Sequence, residues 1–445
     1  VHDIIQLERR RVPTVSIVSK SFEDDTYASA RAFGMPDLPF VVVPETLSNR
    51  TEAEIIKMAD AVIDRIVELL VSADANEGGK ALVAAPEILE YNGSDQLAAL
   101  DAFQEDFLER GWGDGFPLVL PTEARVREML RATSHAPDEV VCTLEPGMTL
   151  ATVEKIAINA VMAGCKPEYL PVVLAAVEAM NDPLFQLRIV ACSTGMHAPC
   201  TIVNGPYGRK IGVNSGRAAL GPGVQSRANL AIGRAVRLVL MNVGHAYVGS
   251  LDLDTIGSPR KISMCYAENE AENPWEPLHV RQGFKLEDST VTMFGVTSEV
   301  ECLDFASTTG AGVMNTFAGT AVPSGTDGVY ATFHKSVISF GHIMMLISTD
   351  HAMVLANSGF DPKSIRRYMF ENARREYKWL GSNQGGTIEE LEENWKEIAK
   401  IPDSIVPVAR TAEHFHMVVV GGSAGKSQVH LGAGVPITRS IDKWL

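Results

Sequence analysis

The sequence predicts an α/β fold in two parts: a small βαβ-type parallel-sheet domain, then a large Gly-rich α/β domain carrying an internal duplication. Three observations predict it. Strand and helix patterns alternate through the first 72 residues. From about Val140, long apolar helices alternate with loops rich in Gly, Asn and Pro. Within that second region two pairs of Gly turns recur in the same order. The expected boundaries are 1–72 for the small domain, 73–139 for a linker and connecting helices, and 140–445 for the large domain.

The elements follow in order. His2 to Arg9 carries a charged helix pattern, and Arg9-Arg10-Arg11 forms a solvated turn before the next strand. Val12 to Val18 is a β-branched run led by a proline, which predicts a buried strand. Glu23 to Phe33 predicts a helix stopped at Gly34, and Leu38 to Val43 a second strand closed by Pro44. Thr51 with Glu54 three residues on is a capping box, opening a helix that continues to Leu70. This order predicts adjacent parallel strands with a right-handed crossover. A parallel sheet needs more than two strands, so sequence ahead of Val1 is expected to supply another. Residues 73–96 lack a pattern and predict a linker. Asp95 to Arg110 is an amphipathic helix ending at Gly111, and Thr122 caps a helix to Ala132.

In the large region, Ala163-Gly164-Cys165-Lys166-Pro167 parallels Ser358-Gly359-Phe360-Asp361-Pro362. The strand and turn Val203-Asn204-Gly205-Pro206 parallels Val420-Gly421-Gly422-Ser423, each followed by a basic residue. These pairs predict that 152–210 and 342–426 are related units whose Gly turns converge on one cleft.

Composition bounds the function. The chain has 445 residues, 46% hydrophobic and 21% charged, which fits a folded multidomain protein and not a disordered one. A net charge of −16 disfavours nucleic acid and anionic membranes, which select basic patches. No apolar run approaches the roughly 20 residues of a membrane helix; the best, Val337 to Leu355, contains His342, Asp350 and His351. The six cysteines show no CxxC pair, so reduced thiols in a cytoplasmic protein are expected.

Several motifs carry chemistry. Gly421 to Ser427 resembles a phosphate loop, but Val420 stands where that loop needs its first Gly, so no nucleotide is expected. Gly422 and Lys426 there can hold an anion through backbone N–H groups, or form a plain tight turn. His197 and Cys200 lie three apart, which offers a thiolate pair or simple core packing for Cys200. Glu268, Glu270, Glu276 and His279, with Trp275 and two prolines, form a dense titratable loop. Such a loop suits acid/base work, a hard cation, or only a solvated turn. His334, His342, His351, His414 and His416 give no metal-pair spacing on a helix. Asn204, Gly205, Asn229 and Arg234 neighbour Gly turns and suit a polar substrate cleft, with Trp112 and Asp114 at the domain junction.

The stretch His2 to Val15, with Phe22, Ala28, Gly34-Met35-Pro36-Asp37-Leu38-Pro39 and Val43-Pro44, resembles the UGSC family of (seleno)proteins. The large region resembles long members of that family at Trp112-Gly113-Asp114-Gly115-Phe116-Pro117, Thr152 to Ala157, Ala163-Gly164-Cys165, Val203 to Pro206 and Asn273 to Pro277. The N-terminal layout is also similar to the selenoprotein subunit of glycine and betaine reductases. The resemblance implies a redox Cys or Sec turn just ahead of Val1 and, by analogy to the reductases, reductive cleavage of a carbon–heteroatom bond. The first expectation is therefore a redox enzyme acting on a small polar substrate, as a homo-oligomer or with a chain carrying the upstream motif. The alternatives are a lyase or hydrolase using Glu268, Glu270, Glu276, His279 or a metal ion, and a non-catalytic subunit.

Overall fold

The computed structural model describes residues 2–32, 34–44, 50–71, 88–249, 251–324, 340–379, 391–423 and 425–445. Most of the expected linker, His334 and Ala424 lie outside the described residues.

The small domain consists of α1 (His2–Arg9), β1 (Ser16–Ser19), α2 (Glu23–Ala32), β2 (Phe40–Val43), α3 (Glu52–Asp60) and α4 (Ile63–Val71). Its two strands are parallel, in register from Ser16 with Phe40 to Ser19 with Val43, as the sequence predicts. The first strand starts later than expected. Pro13 has no N–H, and the Thr14 N–H donates to Glu8 Oε1 at 2.5 Å, so the ladder opens only at Ser16. The capping box at Thr51 and Glu54 is formed. The single helix expected behind it is two, and nothing in the structure explains the break at Ala61.

The large region begins with α5 (Gln96–Glu109), capped by Asp95, and α6 (Glu123–Leu130), capped by Thr122 as expected. Phe103, Phe107, Val126 and Met129 on these helices are buried in the same apolar cluster as the helices that follow, so they belong to the large core. Next come the hairpin β3 (Val140–Leu144) and β4 (Thr149–Thr152), then α7 (Val153–Met162), α8 (Leu170–Met180) and α9 (Leu187–Cys192). β5 (Ala198–Asn204), α10 (Pro206–Lys210), α11 (Arg227–Asn242), β6 (Cys265–Ala267), α12 (Leu278–Arg281) and β7 (Thr290–Leu303) follow. The chain closes with α13 (Gly310–Ser324), β8 (Phe340–Ile347), α14 (Thr349–Asn357), α15 (Pro362–Asn372), β9 (Arg374–Glu376), α16 (Glu393–Ala399), β10 (Ile405–Pro407), β11 (Phe415–Val419) and β12 (Lys426–Ser440).

The central sheet has six strands in the order β11-β8-β12-β7-β5-β6. Only β5 with β6 and β8 with β11 are parallel; the remaining pairs are antiparallel. Read from either edge, order and direction repeat about the β7–β12 pair. Thus β5 corresponds to β8, β6 to β11 and β7 to β12. The pairing expected from the glycine turns instead sets β5 against β11, which hold different places: β5 is internal and β11 is an edge.

The sheet sorts side chains with period two. Cys200, Ile202, Tyr266, Phe294, Met344 and Val418 fill an interior cluster. On the opposite face, Met293 and Val203 pack with α8 and α11, and Ile343, Met345 and Met417 with α13, α14 and α15. The sheet curls enough for its edges to meet, since the Asn269 N–H donates to Val419 O at 2.8 Å. No helix among the described residues is long and apolar enough to cross a membrane.

Candidate functional site

A cavity of about 640 Å³ opens beside α11. Its wall is built from Arg110 at the end of α5, Asp114 in the following turn, Arg237 and Met241 of α11, and the 247–262 loop. That loop supplies alternating charges. Lys261 Nζ lies 2.6 Å from Asp252 Oδ1 and 2.7 Å from Asp254 Oδ2. Arg237 Nη2 donates to Asp252 Oδ2 at 2.8 Å. Asp252 and Arg237 are buried, and charges so placed are tolerated only when paired. Burial works to raise the Asp254 pKa, but Lys261 and the N–H groups of Gly257 and Ile256 outweigh it, and the net shift is downward.

The Trp112–Pro117 turn is clamped to α11. Arg234 holds Asp114 with Nε at 2.7 Å and Nη2 at 2.8 Å, and also reaches the carbonyls of Phe116 and Pro117. Asn242 Nδ2 donates to Trp112 O at 3.0 Å. Trp112, Asp114 and Arg234, three of the expected substrate residues, therefore do come together. His197 stands near the charged loop, its Nδ1 3.2 Å from Ser193 Oγ. Burial lowers its pKa, and the charges of Lys261, Asp254 and Asp252 act on it as well.

The small domain docks on this loop. Ile5, Ala30, Met35 and Leu38 form one apolar cluster with Leu251, with Ile4 and Cys192 packed against it. Leu251 immediately precedes Asp252, so the contact and the cavity share a loop. Residues 1–72 match the model of the UGSC family. That stretch is a UGSC family domain. The match ends before the linker, and no curated protein and no solved structure matches the chain.

The UGSC domain has no cysteine within its described residues, and the six cysteines beyond it are poor nucleophiles. Burial pushes Cys142 up to about 12, and Cys192 and Cys302 up to about 11. Burial raises Cys165, Cys200 and Cys265 further still. Cys200 lies in the apolar interior cluster, the packing alternative of the sequence reading.

A second polar node sits where β5 and β6 end. Gly205 adopts φ 90°, and a Cβ there would stand 2.2 Å from Asp288 O, so only glycine lets the chain turn. Asn204 Nδ2 donates to Glu268 Oε2 at 2.6 Å and to Glu270 Oε1 at 3.1 Å. Glu268 also accepts from Leu278 N at 2.7 Å and Asn273 Nδ2 at 2.9 Å, with Arg281 Nη2 3.9 Å away. Glu270 accepts from Gly205 N at 2.6 Å and pairs with Arg209. Burial raises the Glu268 pKa against the pull of Arg281, the Leu278 N–H and Asn204. His279 is fully buried, its Nδ1 3.9 Å from Glu270 Oε1. Thus Asn204, Gly205, Glu268 and His279 come together at one node.

Glu276 does not join them. Its side chain is exposed, and its carbonyl accepts from Arg281 Nε at 2.9 Å. Asn229 ties Asn214 to Ala219 and braces the start of α11. Lys426 is exposed, 3.5 Å from Glu301, and the Gly425 N–H ahead of it is taken by Asp350 Oδ2 at 2.6 Å. Gly422 faces Arg217. Among the described residues no three His, Cys, Asp or Glu side chains converge as a metal site. Sequence reasoning missed Arg237, Asp252, Asp254 and Lys261. Their one local signal was two aspartates two apart between Gly249 and Gly257.

Proposed function

We propose that this chain is an enzyme acting on a small polar substrate by thiol or selenol redox chemistry, with the cavity beside α11 as the substrate site. The observation that carries this reading is the docking of the UGSC domain on Leu251, next to Asp252 in the cavity wall. The wall offers both signs of charge at close range, which suits a polar or zwitterionic guest over an apolar one. The redox group is a Cys or Sec of the turn that family resemblance sets ahead of Val1, or its counterpart on a second chain. The six cysteines of residues 88–445 do not serve, because burial keeps each protonated at neutral pH. In the reaction that redox group and a second thiol, from the same turn or from the dithiol reductant, lose two electrons and two protons to form one S–S or Se–S bond. The substrate gains both, so its carbon–heteroatom bond breaks into C–H and heteroatom–H.

The test uses the full natural protein with dithiothreitol as electron donor and a panel of small amines, amino acids and hydroxy acids, following dithiothreitol oxidation. The expected result is turnover with at least one compound that is lost in Lys261→Met. Oxidation no faster than the blank for every compound, or turnover indifferent to Lys261→Met, contradicts the proposal.

A further inference from the structure

The wall of the cavity beside α11 divides its hydrogen-bonding groups unequally. Its buried carboxylates are already engaged. Asp114 gives both oxygens to Arg234, and Oδ1 also accepts from Phe116 N at 3.2 Å. Asp252 gives Oδ1 to Lys261 and Oδ2 to Arg237. Asp254 Oδ1 accepts from the Gly257 N–H at 3.0 Å, and its Oδ2 rests 2.7 Å from Lys261 Nζ. Glu109 is the remaining carboxylate of the lining, and it is exposed to solvent, which screens it.

The polar hydrogens of the wall are not engaged to the same extent. The Arg237 side chain is only 6% exposed, and among the described residues it bonds the protein through Nη2 alone. None of its nitrogens is both buried and unpartnered, so Nε and Nη1 open on the cavity that the residue lines. The Tyr247 hydroxyl likewise has no hydrogen-bond partner among the described residues and is not sealed from the cavity. Burial raises its pKa, so it stays a donor at neutral pH. Ser258 Oγ accepts from Arg260 N at 3.3 Å, which leaves its own hydrogen to donate. Lys261 has three hydrogens and two carboxylate contacts. Arg237, Tyr247, Ser258 and Lys261 all line this one cavity. Met241, Val248, Ile256 and Ile262 line it too and offer a guest apolar contact.

A surplus of donors selects the guest. A hydrogen bond from a charged donor to a carboxylate is about twice as strong as a neutral one. An ammonium guest would instead face Arg237 and Lys261 with every buried carboxylate of the wall already taken. We propose that the cavity takes a small organic carboxylate, held by Arg237 and Tyr247, with Lys261 and Ser258 completing the donor set and the carbon chain on the apolar part of the wall. This rests on the cavity being the substrate site, as proposed above, but binding itself needs no redox group and no reductant.

The probe is propionate, with propionamide as the neutral control of the same shape and propylammonium as the cationic one, in ligand-observed saturation-transfer NMR on the whole chain without reductant. Propionate should show transfer that excess perdeuterated propionate abolishes, and neither control should match it. Arg237→Lys keeps a cation beside Asp252 but removes the free guanidinium donors, and should weaken propionate about tenfold. Tyr247→Phe removes a hydroxyl without a protein partner, so it should fold as the wild type does and weaken binding by a similar factor. That variant decides should Arg237→Lys fail to fold. No transfer from propionate, equal transfer from either control, or a folded variant that binds as before would each overturn the proposal. Propionate binding as described, with no turnover in the dithiothreitol assay, would support it while contradicting the redox reading.

Discussion

Acidification from pH 7 to pH 5 should strip a large part of the stability of the six-stranded sheet. His342 and His430 lie on the adjacent strands β8 and β12, and burial holds both near a pKa of about 3. Unfolded, each takes up a proton near 6.5. Their contribution is therefore complete above about pH 6.5 and is lost as pH falls toward the folded value. Each costs about 1.4 kcal/mol per pH unit in that window, so the pair loses roughly 4 kcal/mol between pH 6.5 and 5. His416, buried against His342 and also lowered, adds in the same direction. Glu268 and His135, whose folded pKa values are raised, oppose it and gain stability as pH falls. A loss of about 4 kcal/mol is a large share of a typical 5–15 kcal/mol. All five tryptophans lie beyond residue 72, so urea unfolding followed by Trp fluorescence reports on the large region alone. His430→Gln should flatten the pH dependence by about 1.4 kcal/mol per unit. An unfolding free energy level from pH 7 to 5, or an unchanged slope in His430→Gln, would refute the reasoning.

Two further substitutions test the packing at the two sites. Asp252→Ala leaves Arg237 and Lys261 without their shared carboxylate and should cost about 3–5 kcal/mol in urea unfolding, whereas an exposed control such as Glu123→Ala should cost almost nothing. Gly205→Ala forces a Cβ against Asp288 O at positive φ and should cost more than about 2 kcal/mol, read as a drop in the thermal midpoint.

Much of the fold was legible because local chemistry dictates it. The parallel β1–β2 pair follows from two β-branched runs separated by a helix and Gly34. The caps at Thr51 and Thr122 announced their helices. The sheet order was not legible. Paired Gly turns report where a chain reverses, not which strand it joins, so Gly205 and Gly422 looked equivalent although β5 and β11 are not. The Glu268–His279 loop stood out because its titratable groups are close in sequence. Arg237, Asp252 and Lys261 did not, because a buried ion network draws its members from separate elements. Glu276 shows the converse: closeness in sequence put it among the candidates, and the turn carries its side chain outward.

The account rests most heavily on the six cysteines being structural and the redox group lying elsewhere, and iodoacetamide labelling of the full natural protein at pH 7 tests it directly. At a pKa of about 11, Cys192 and Cys302 are each a thiolate in about one molecule in ten thousand, and the other four less often. The account predicts one fast-labelled thiol or selenol on a peptide outside residues 1–445, with Cys142, Cys165, Cys192, Cys200, Cys265 and Cys302 unmodified in the folded protein. Fast labelling at any of those six, with none elsewhere, would contradict it.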